Sequence, residues 1–171
     1  AGTVTNAVAG DCVLTLAPEH FAAVHACRTE RVRVTFENNE TVVRAFGLAA
    51  HASRPQQSVN AIALAFDVLL AAGILRGEER GLISFWARCL HDFYGGELGI
   101  ALDRGEYGEL TIIGGTASLE EGCFRFGFNC RYPAGDSCER IVPRLDAVCG
   151  AHGLSLAVEE GVDGFCTVSY T

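Results

Sequence analysis

The segment His-Ala-Ser-Arg-Pro at positions 51–55 brings a titratable ring and a hydroxyl together just ahead of a long apolar run. An imidazole changes its charge near neutral pH, and a ring held on a rigid mount can be presented to a substrate. His51 is therefore the first candidate for a functional side chain. The competing interpretation is that His51 is an ordinary turn residue.

The residues that follow His51 predict how it is held. Ser53, with Gln56 three residues later, has the pattern of a capping box, and Pro55 suits a first helical turn. The spacing therefore predicts a helix that starts at this cap and continues to Ala72. Ser53 is interpreted as a structural cap, and the strand-to-helix corner gives His51 a rigid mount.

Arg131 is the second candidate, in the segment Asn-Cys-Arg-Tyr-Pro at the end of an apolar strand pattern. An arginine at a strand end can pair with a nearby acid, which is a structural role. Its planar guanidinium also matches a carboxylate bidentately, which would make Arg131 a substrate contact. The residues alone leave both interpretations open.

No complete metal or catalytic set is visible in the sequence. The five histidines are dispersed, no H-x-D or H-E-x-x-H pattern occurs, and the eight cysteines contain no C-x-x-C pair. Glu120 and Glu121 could combine a metal ligand with a general base, but their position between two strand patterns favours a solvated hairpin tip. We therefore expect that the chain binds no metal and lacks a whole active site of its own.

Composition excludes several classes of function. The net charge is −8 and all 13 basic residues are arginine, so a lysine nucleophile is excluded and a basic nucleic-acid surface is not expected. No apolar run reaches the length of a membrane span, and no signal-peptide pattern opens the sequence. We therefore expect a cytoplasmic protein with reduced, mostly buried thiols and with neither membrane nor nucleic acid as a partner. The absence of methionine leads us to expect an internal piece of a longer polypeptide.

Hydrophobic periodicity predicts an α+β fold in one domain, with helices packed on one face of antiparallel sheet. The pattern gives β-α-β-β-α in the first half, with a hairpin turn at Asn38 and Asn39, and mostly strands in the second half. Residues 161–171 have no clear period. The predicted strands are 5–16, 31–38, 41–50, 97–103, 108–115, 123–133 and 154–160, and the predicted helices are 17–27, 53–72, 77–93 and 138–153.

Three segments together resemble a known family. They are TNAVAGD, GLAAHASRPQQSVNAIALAFDVLL and the late pair GELGIALDRGEYGELTIIGG and FRFGFNCRYPAGDSCERI. From about Thr3 to Glu160 the chain resembles the dinuclear-zinc metallopeptidases of the carboxypeptidase G and Xaa-His dipeptidase family, most closely the dipeptidase V type. The similarity covers only their lid, which is called the dimerisation domain in relatives. Ala9 and Ser58 depart from the proline and glycine common at those places.

The resemblance implies a fold and a division of labour. It implies one lid domain spanning 1–171, built of two ferredoxin-like pseudo-repeated halves, 1–76 and 77–171. His51 would stabilise the tetrahedral oxyanion, and Asn6 and Arg131 would hold the carboxylate or nearby polar groups of a dipeptide substrate. Two zinc ions and the general base would belong to the catalytic domain of the same polypeptide, and this chain alone would be inactive.

The alternative is a stand-alone ferredoxin-like module for binding or oligomerisation, because a shared fold does not fix function. A third possibility is a paralogue whose catalytic domain has lost its metal ligands. The gene distinguishes them, since the enzyme requires a flanking H-x-D segment and a Glu-Glu pair.

Overall fold

The structure is a computed structural model that describes residues 1–102, 108–120, 122–133, 136–160 and 165–170. It confirms the predicted α+β class. The strands are β1 (Asp11–Leu16), β2 (Val32–Glu37), β3 (Glu40–Phe46), β4 (Thr111–Glu120), β5 (Cys123–Arg131), β6 (Leu156–Glu160) and β7 (Phe165–Tyr170), and the helices are α1 (Phe21–Ala26), α2 (Ala61–Ala72), α3 (Gly77–His91) and α4 (Cys138–Ala151).

The strands form two antiparallel sheets. The first sheet has the order β1-β3-β2, and the second has the order β4-β5-β7-β6. The β2–β3 hairpin turns at Asn38 and Asn39, which have φ angles of 50° and 63°. Asparagine tolerates this left-handed conformation, so the predicted hairpin turn is confirmed. The ferredoxin-like repeat of the two halves stays a prediction.

Both halves contribute to one hydrophobic core on the helical side of the sheets. Alternate residues of each strand point to the same side, so Phe126 and Phe128 of β5 face α2 and α3 together. Trp86 stacks on Phe126 with ring centroids 4.6 Å apart, and Phe66 meets the same ring edge-on at 6.1 Å. Because residues from both halves surround Phe126, the halves fold around a shared interior.

The predicted capping box at Ser53 is wrong. Pro55–Gln57 forms only a single 3-10 turn, and helix α2 begins at Ala61. The chain stays extended between the two because Val59 pairs with Leu48 in an isolated antiparallel bridge. Two backbone hydrogen bonds join Val59 and Leu48 in that bridge, at 2.8 and 3.0 Å. They use the amide and carbonyl groups of Val59 that a helix beginning at Ser53 would use in its own hydrogen bonds.

Other boundaries also differ from the sequence prediction. The first strand starts at Asp11 instead of residue 5, and the predicted strand 97–103 is not a strand over its described part, 97–102. There the carboxylate of Asp92 accepts the amides of Tyr94 and Glu97, which folds a glycine-rich turn. Strand β7 lies in the tail that showed no period.

The true cap of α2 is Asn60, which is 1 % exposed. Its Oδ1 accepts the amides of Ile62 and Ala63 at 2.9 and 3.4 Å, and its Nδ2 donates to the Gly114 carbonyl at 2.8 Å. Gly114 lies on β4 in the second half, 54 residues away. One buried side chain therefore caps a helix of the first half and bonds a strand of the second.

Within the described part of the chain, no helix combines the length and the apolar character that crossing a membrane demands.

Replacing Asn60 by alanine should destabilise the fold by about 2–4 kcal/mol. The change removes a helix cap worth about 1 kcal/mol and leaves the buried Gly114 carbonyl without its donor, at about 1–3 kcal/mol. Urea unfolding followed by circular dichroism measures the effect, with the exposed Gln57→Ala as the control. Equal midpoints for the two variants would contradict the role given to Asn60.

Thiol reactivity should follow burial. Burial raises the pKa of Cys12 to about 11 and that of Cys89 to about 12, whereas Cys123 is exposed. Since the thiolate is the reactive form, Cys123 should react first with a thiol reagent and the other two should be slow in the native protein. All eight cysteines should react after denaturation without reductant. A native Cys12 that reacts as fast as Cys123 would contradict this.

Candidate functional site

His51 is fixed through its backbone to the segment that precedes β1. Ala7 and His51 form an antiparallel bridge in which the Val8 amide donates to the Ala50 carbonyl at 3.0 Å and the Ala52 amide donates to the Asn6 carbonyl at 3.1 Å. Backbone pairing with the Asn6–Val8 segment therefore holds His51, in place of the predicted capped helix. The imidazole itself is exposed.

A small apolar cluster packs this corner onto the second sheet. Val8 and Ala52 are 1 % and 0 % exposed and contact Ile113 of β4, with Phe93 beside them. Ile112 and Gly114 face the helices, so the side chain of Ile113, which lies between them in β4, points to the opposite face of the sheet. The segment around His51 therefore packs on the face of the second sheet that is turned away from the helices.

The same face of the second sheet carries Arg131. Asn129 pairs with Ile113 across β4 and β5, and Arg131 follows two residues later on the same side of β5. The Nε of Arg131 donates to the Oδ1 of Asn129 at 3.2 Å. Asn129 is only 6 % exposed, so the side-chain amide that orients the guanidinium of Arg131 is itself held within the sheet.

His51 and Arg131 meet although 80 residues separate them in sequence. The Nη2 of Arg131 lies 3.4 Å from the Nε2 of His51. On the other side of the ring, Nδ1 lies 2.9 Å from the Oγ of Ser53 and 3.4 Å from the Ser53 amide nitrogen. Ser53 therefore orients the imidazole of His51, which is a different role from the predicted helix cap.

The contacts on the two sides of the ring require different tautomers of the neutral imidazole. The Ser53 amide can only donate, so its contact requires Nδ1 as the acceptor and places the proton on Nε2. The guanidinium of Arg131 can also only donate, so its contact requires Nε2 as the acceptor and places the proton on Nδ1, where the Ser53 hydroxyl can accept it. In the first tautomer the Nε2–H and the guanidinium are two neighbouring donors, and an anionic oxygen between them would satisfy both.

Asn6 lies next to this pair through its backbone. Its carbonyl accepts the Ala52 amide, and its side chain is exposed. No described residue forms a hydrogen bond with the Asn6 carboxamide. The structure therefore brings the neighbourhoods of Asn6, His51 and Arg131 together, and it joins the side chains of the last two.

Asn129 was not identified from the sequence. The signal was available, because Asn129 stands two positions before Arg131 in an alternating strand and must share its face. A polar residue among the phenylalanines of that strand needs a partner inside the fold. Ser53 was identified, but with the wrong role.

The described residues contain no group of three or more histidine, cysteine, aspartate or glutamate side chains that could hold a metal ion. Glu120 ends β4 and pairs with Arg125 at 3.3 Å, as expected for a solvated hairpin. Its predicted companion Glu121 lies outside the described residues. What the described site offers is hydrogen-bond donors for a negatively charged oxygen.

No protein-family model matches this chain, and no curated protein matches it significantly.

A small carboxylate such as acetate should bind at the paired donors. Titration followed by two-dimensional NMR should shift the His51 ring signals and the Arg131 guanidinium signal together, with an affinity in the millimolar range. Arg131→Gln should reduce the His51 response, because it removes one of the two donors. Arg54→Gln is the matched control, since Arg54 is an exposed arginine in the same corner. Equal responses in both variants would contradict the site.

Proposed function

We propose that this chain is the substrate-clamping lid domain of a dinuclear-zinc dipeptidase. One observation carries the proposal: the Nε2 of His51 and the guanidinium of Arg131 lie 3.4 Å apart on an exposed face. The two segments that hold these residues are the ones whose sequences resemble the family lid.

The two donors have different tasks in the proposed reaction. Peptide hydrolysis turns a carbonyl oxygen into a tetrahedral oxyanion, and the Nε2–H of His51 stabilises that charge as it develops. The substrate carboxylate is already charged before the reaction, and Arg131 holds it as the neighbouring donor. Asn6 lies beside them on the paired segment and supplies further polar contact to the substrate.

The geometry of the mount supports a role in the transition state. The ring of His51 is oriented by Ser53 and by the bridge to Ala7 before any substrate arrives. A preorganised donor spends no free energy on reorientation during the reaction, so it favours the transition state over the bound substrate.

In this proposal the two zinc ions and the base that activates water lie in a catalytic domain of the same polypeptide. The zinc ions would supply the activated water. The present chain contributes donors and the surface that closes over the substrate. The isolated chain is therefore expected to fold and to show no peptidase activity with zinc, cobalt or manganese.

The proposed compartment is the cytoplasm. The described cysteines Cys12, Cys27, Cys89, Cys123 and Cys138 carry free thiols. Thiols of this number survive in a reducing compartment, whereas an oxidising one favours disulfides.

The proposal is tested first by the gene and then by binding. The reading frame should encode an H-x-D segment and a Glu-Glu pair outside this chain. In the isolated chain, a dipeptide with a free carboxylate should shift the NMR signals of His51 and Arg131 more than the same dipeptide with a C-terminal amide. Equal responses to the two ligands, or a frame without those segments, would favour the stand-alone binding module.

Kinetics of the full-length enzyme should separate the two donors. His51→Ala should lower kcat by roughly 10²–10³-fold, which is the usual effect of losing one oxyanion donor. Arg131→Ala should raise KM as well, because the carboxylate is charged in the ground state and in the transition state alike. Both variants are measured on one dipeptide at one pH, with Arg54→Ala as the control. A folded His51→Ala enzyme with nearly normal kcat would contradict the assignment.

A further inference from the structure

One ion pair joins α2, in the first half of the chain, to the end of α3, in the second half. The Nε2 of His91 lies 2.8 Å from the Oδ2 of Asp67. His91 is the last residue of α3, and Asp67 lies in the middle of α2. The two side chains are 48 % and 47 % exposed, so the imidazole can exchange its proton with water.

The charged groups around His91 leave Asp67 as the carboxylate that contacts its imidazole. Arg88, Asp92 and Glu97 line the same open cleft as His91, but each of them has another partner. The Nε of Arg88 donates to the Oε2 of Glu97 at 2.8 Å, and Asp92 accepts two backbone amides of the turn that follows α3. The hydrogen bond to Asp67 raises the pKa of His91 above its ordinary value, against the smaller opposing effect of partial burial.

The direction of this shift fixes the pH range in which both groups of the pair are charged. The folded protein stabilises the protonated imidazole, so the ion pair is complete below the ordinary histidine pKa of about 6.5. It is lost as the pH rises through the raised pKa of His91. Above that value only the carboxylate is charged, and the Coulomb attraction between the two groups is gone. An arginine side chain would keep its charge throughout this range, whereas histidine makes the contact depend on pH.

The two partners belong to elements that are both bonded to strand β4. On the side of Asp67, helix α2 begins at Asn60, whose Nδ2 donates to the Gly114 carbonyl at 2.8 Å. On the other side, the chain continues from His91 to Phe93, whose carbonyl accepts a β4 amide at 2.9 Å. The two bonds to β4 lie within three residues of each other. The ion pair therefore closes a ring of contacts that runs through α2, β4 and the end of α3.

Phe93 connects this ring to the functional site. Its side chain packs against the buried cluster of Val8, Ala52 and Ile113. Ala52 follows His51 directly, and its amide takes part in the backbone pairing that holds this histidine. Phe93 therefore links the titrating imidazole at the end of α3 to the backbone that carries His51.

We propose that the His91–Asp67 ion pair is a pH-dependent regulator of the donor pair formed by His51 and Arg131. When His91 is protonated, the ion pair holds the end of α3 on α2 and keeps Phe93 packed against the residues beside His51. When His91 loses its proton, this packing weakens, the donor pair is held less firmly, and an anion binds to it more weakly. As regulation of that site, this inference rests on the proposed function.

Coupling between two sites is reciprocal, so an anion at the donor pair must strengthen the protonation of His91. The test is an NMR pH titration of the isolated chain with saturating acetate and with sodium chloride at the same ionic strength. Acetate should make His91 bind its proton roughly twofold more tightly, the factor that an exposed ion pair typically contributes, which raises its midpoint by about 0.3 pH units. The midpoint of His20, which lies just ahead of α1, should not respond to acetate.

Two variants separate this coupling from a direct electrostatic effect of the acetate. Asp67→Asn should lower the midpoint of His91 toward the ordinary value and should remove its response to acetate. Asp146→Asn is the matched control, because Asp146 is an exposed aspartate on α4, and it should keep both. An equal response to acetate in the wild type and in Asp67→Asn, or an equal midpoint of His91 in the two, would overturn the proposal.

The same titration distinguishes a failure of this inference from a failure of the proposed function. Acetate that shifts the signals of His51 and Arg131 but leaves the midpoint of His91 unchanged would overturn the regulation and leave the donor pair intact. Acetate that shifts none of these signals would remove the donor pair as an anion site and would overturn both.

Discussion

The buried carboxamide of Asn60 is the interaction on which the arrangement of the two halves depends. Its oxygen caps α2 and its nitrogen bonds the Gly114 carbonyl, so both ends of the amide are used where water cannot replace either partner. A buried polar group without a partner costs about 1–3 kcal/mol. The docking of α2 against β4 is therefore specified by hydrogen bonds, whereas the surrounding aliphatic contacts supply most of the free energy but little directional preference.

The candidate site follows from this docking. With α2 fixed against β4, the extended segment that precedes α2 lies on the face of the second sheet that is turned away from the helices. There Ala52 and Val8 pack against Ile113. That contact leaves His51 above the strand that carries Arg131. Neither residue could form the donor pair alone, since each half provides one side chain and the shared interior provides the alignment.

The sequence predicted the fold class and many elements, because alternation in β2 and the helical stripe of α3 are local signals. It failed where a long-range contact decides local structure. Ser53 followed by Gln56 has the composition of a cap, but pairing of Val59 with Leu48 keeps the chain extended until Asn60. Asn60 satisfies the helix start as well as Ser53 would, and it also reaches Gly114, which no local rule evaluates.

The site residues illustrate the same limit. His51 and Arg131 could be selected one by one from residue type and local setting, yet nothing local predicts that they meet across 80 residues. The pairing of residues 129 and 113 was in principle readable from the hairpin register, and it would have placed Asn129 beside Arg131. What the sequence could not supply was the crossing of the first half onto that hairpin.

One extended segment connects the edge strand β4 to the donor pair. Residues 1 and 2 lie between β1 and β4, and five residues further on, Ala7 pairs with His51. Between them the segment passes so close to β4 that a Cβ on Gly115 would overlap the Val4 carbonyl oxygen, which explains why glycine is required there. Such close backbone contact leaves the segment little freedom to shift sideways. The contacts of this segment with β4 therefore restrain the same backbone that carries Asn6 and pairs with His51, so they stabilise the position of the donor pair without contacting it.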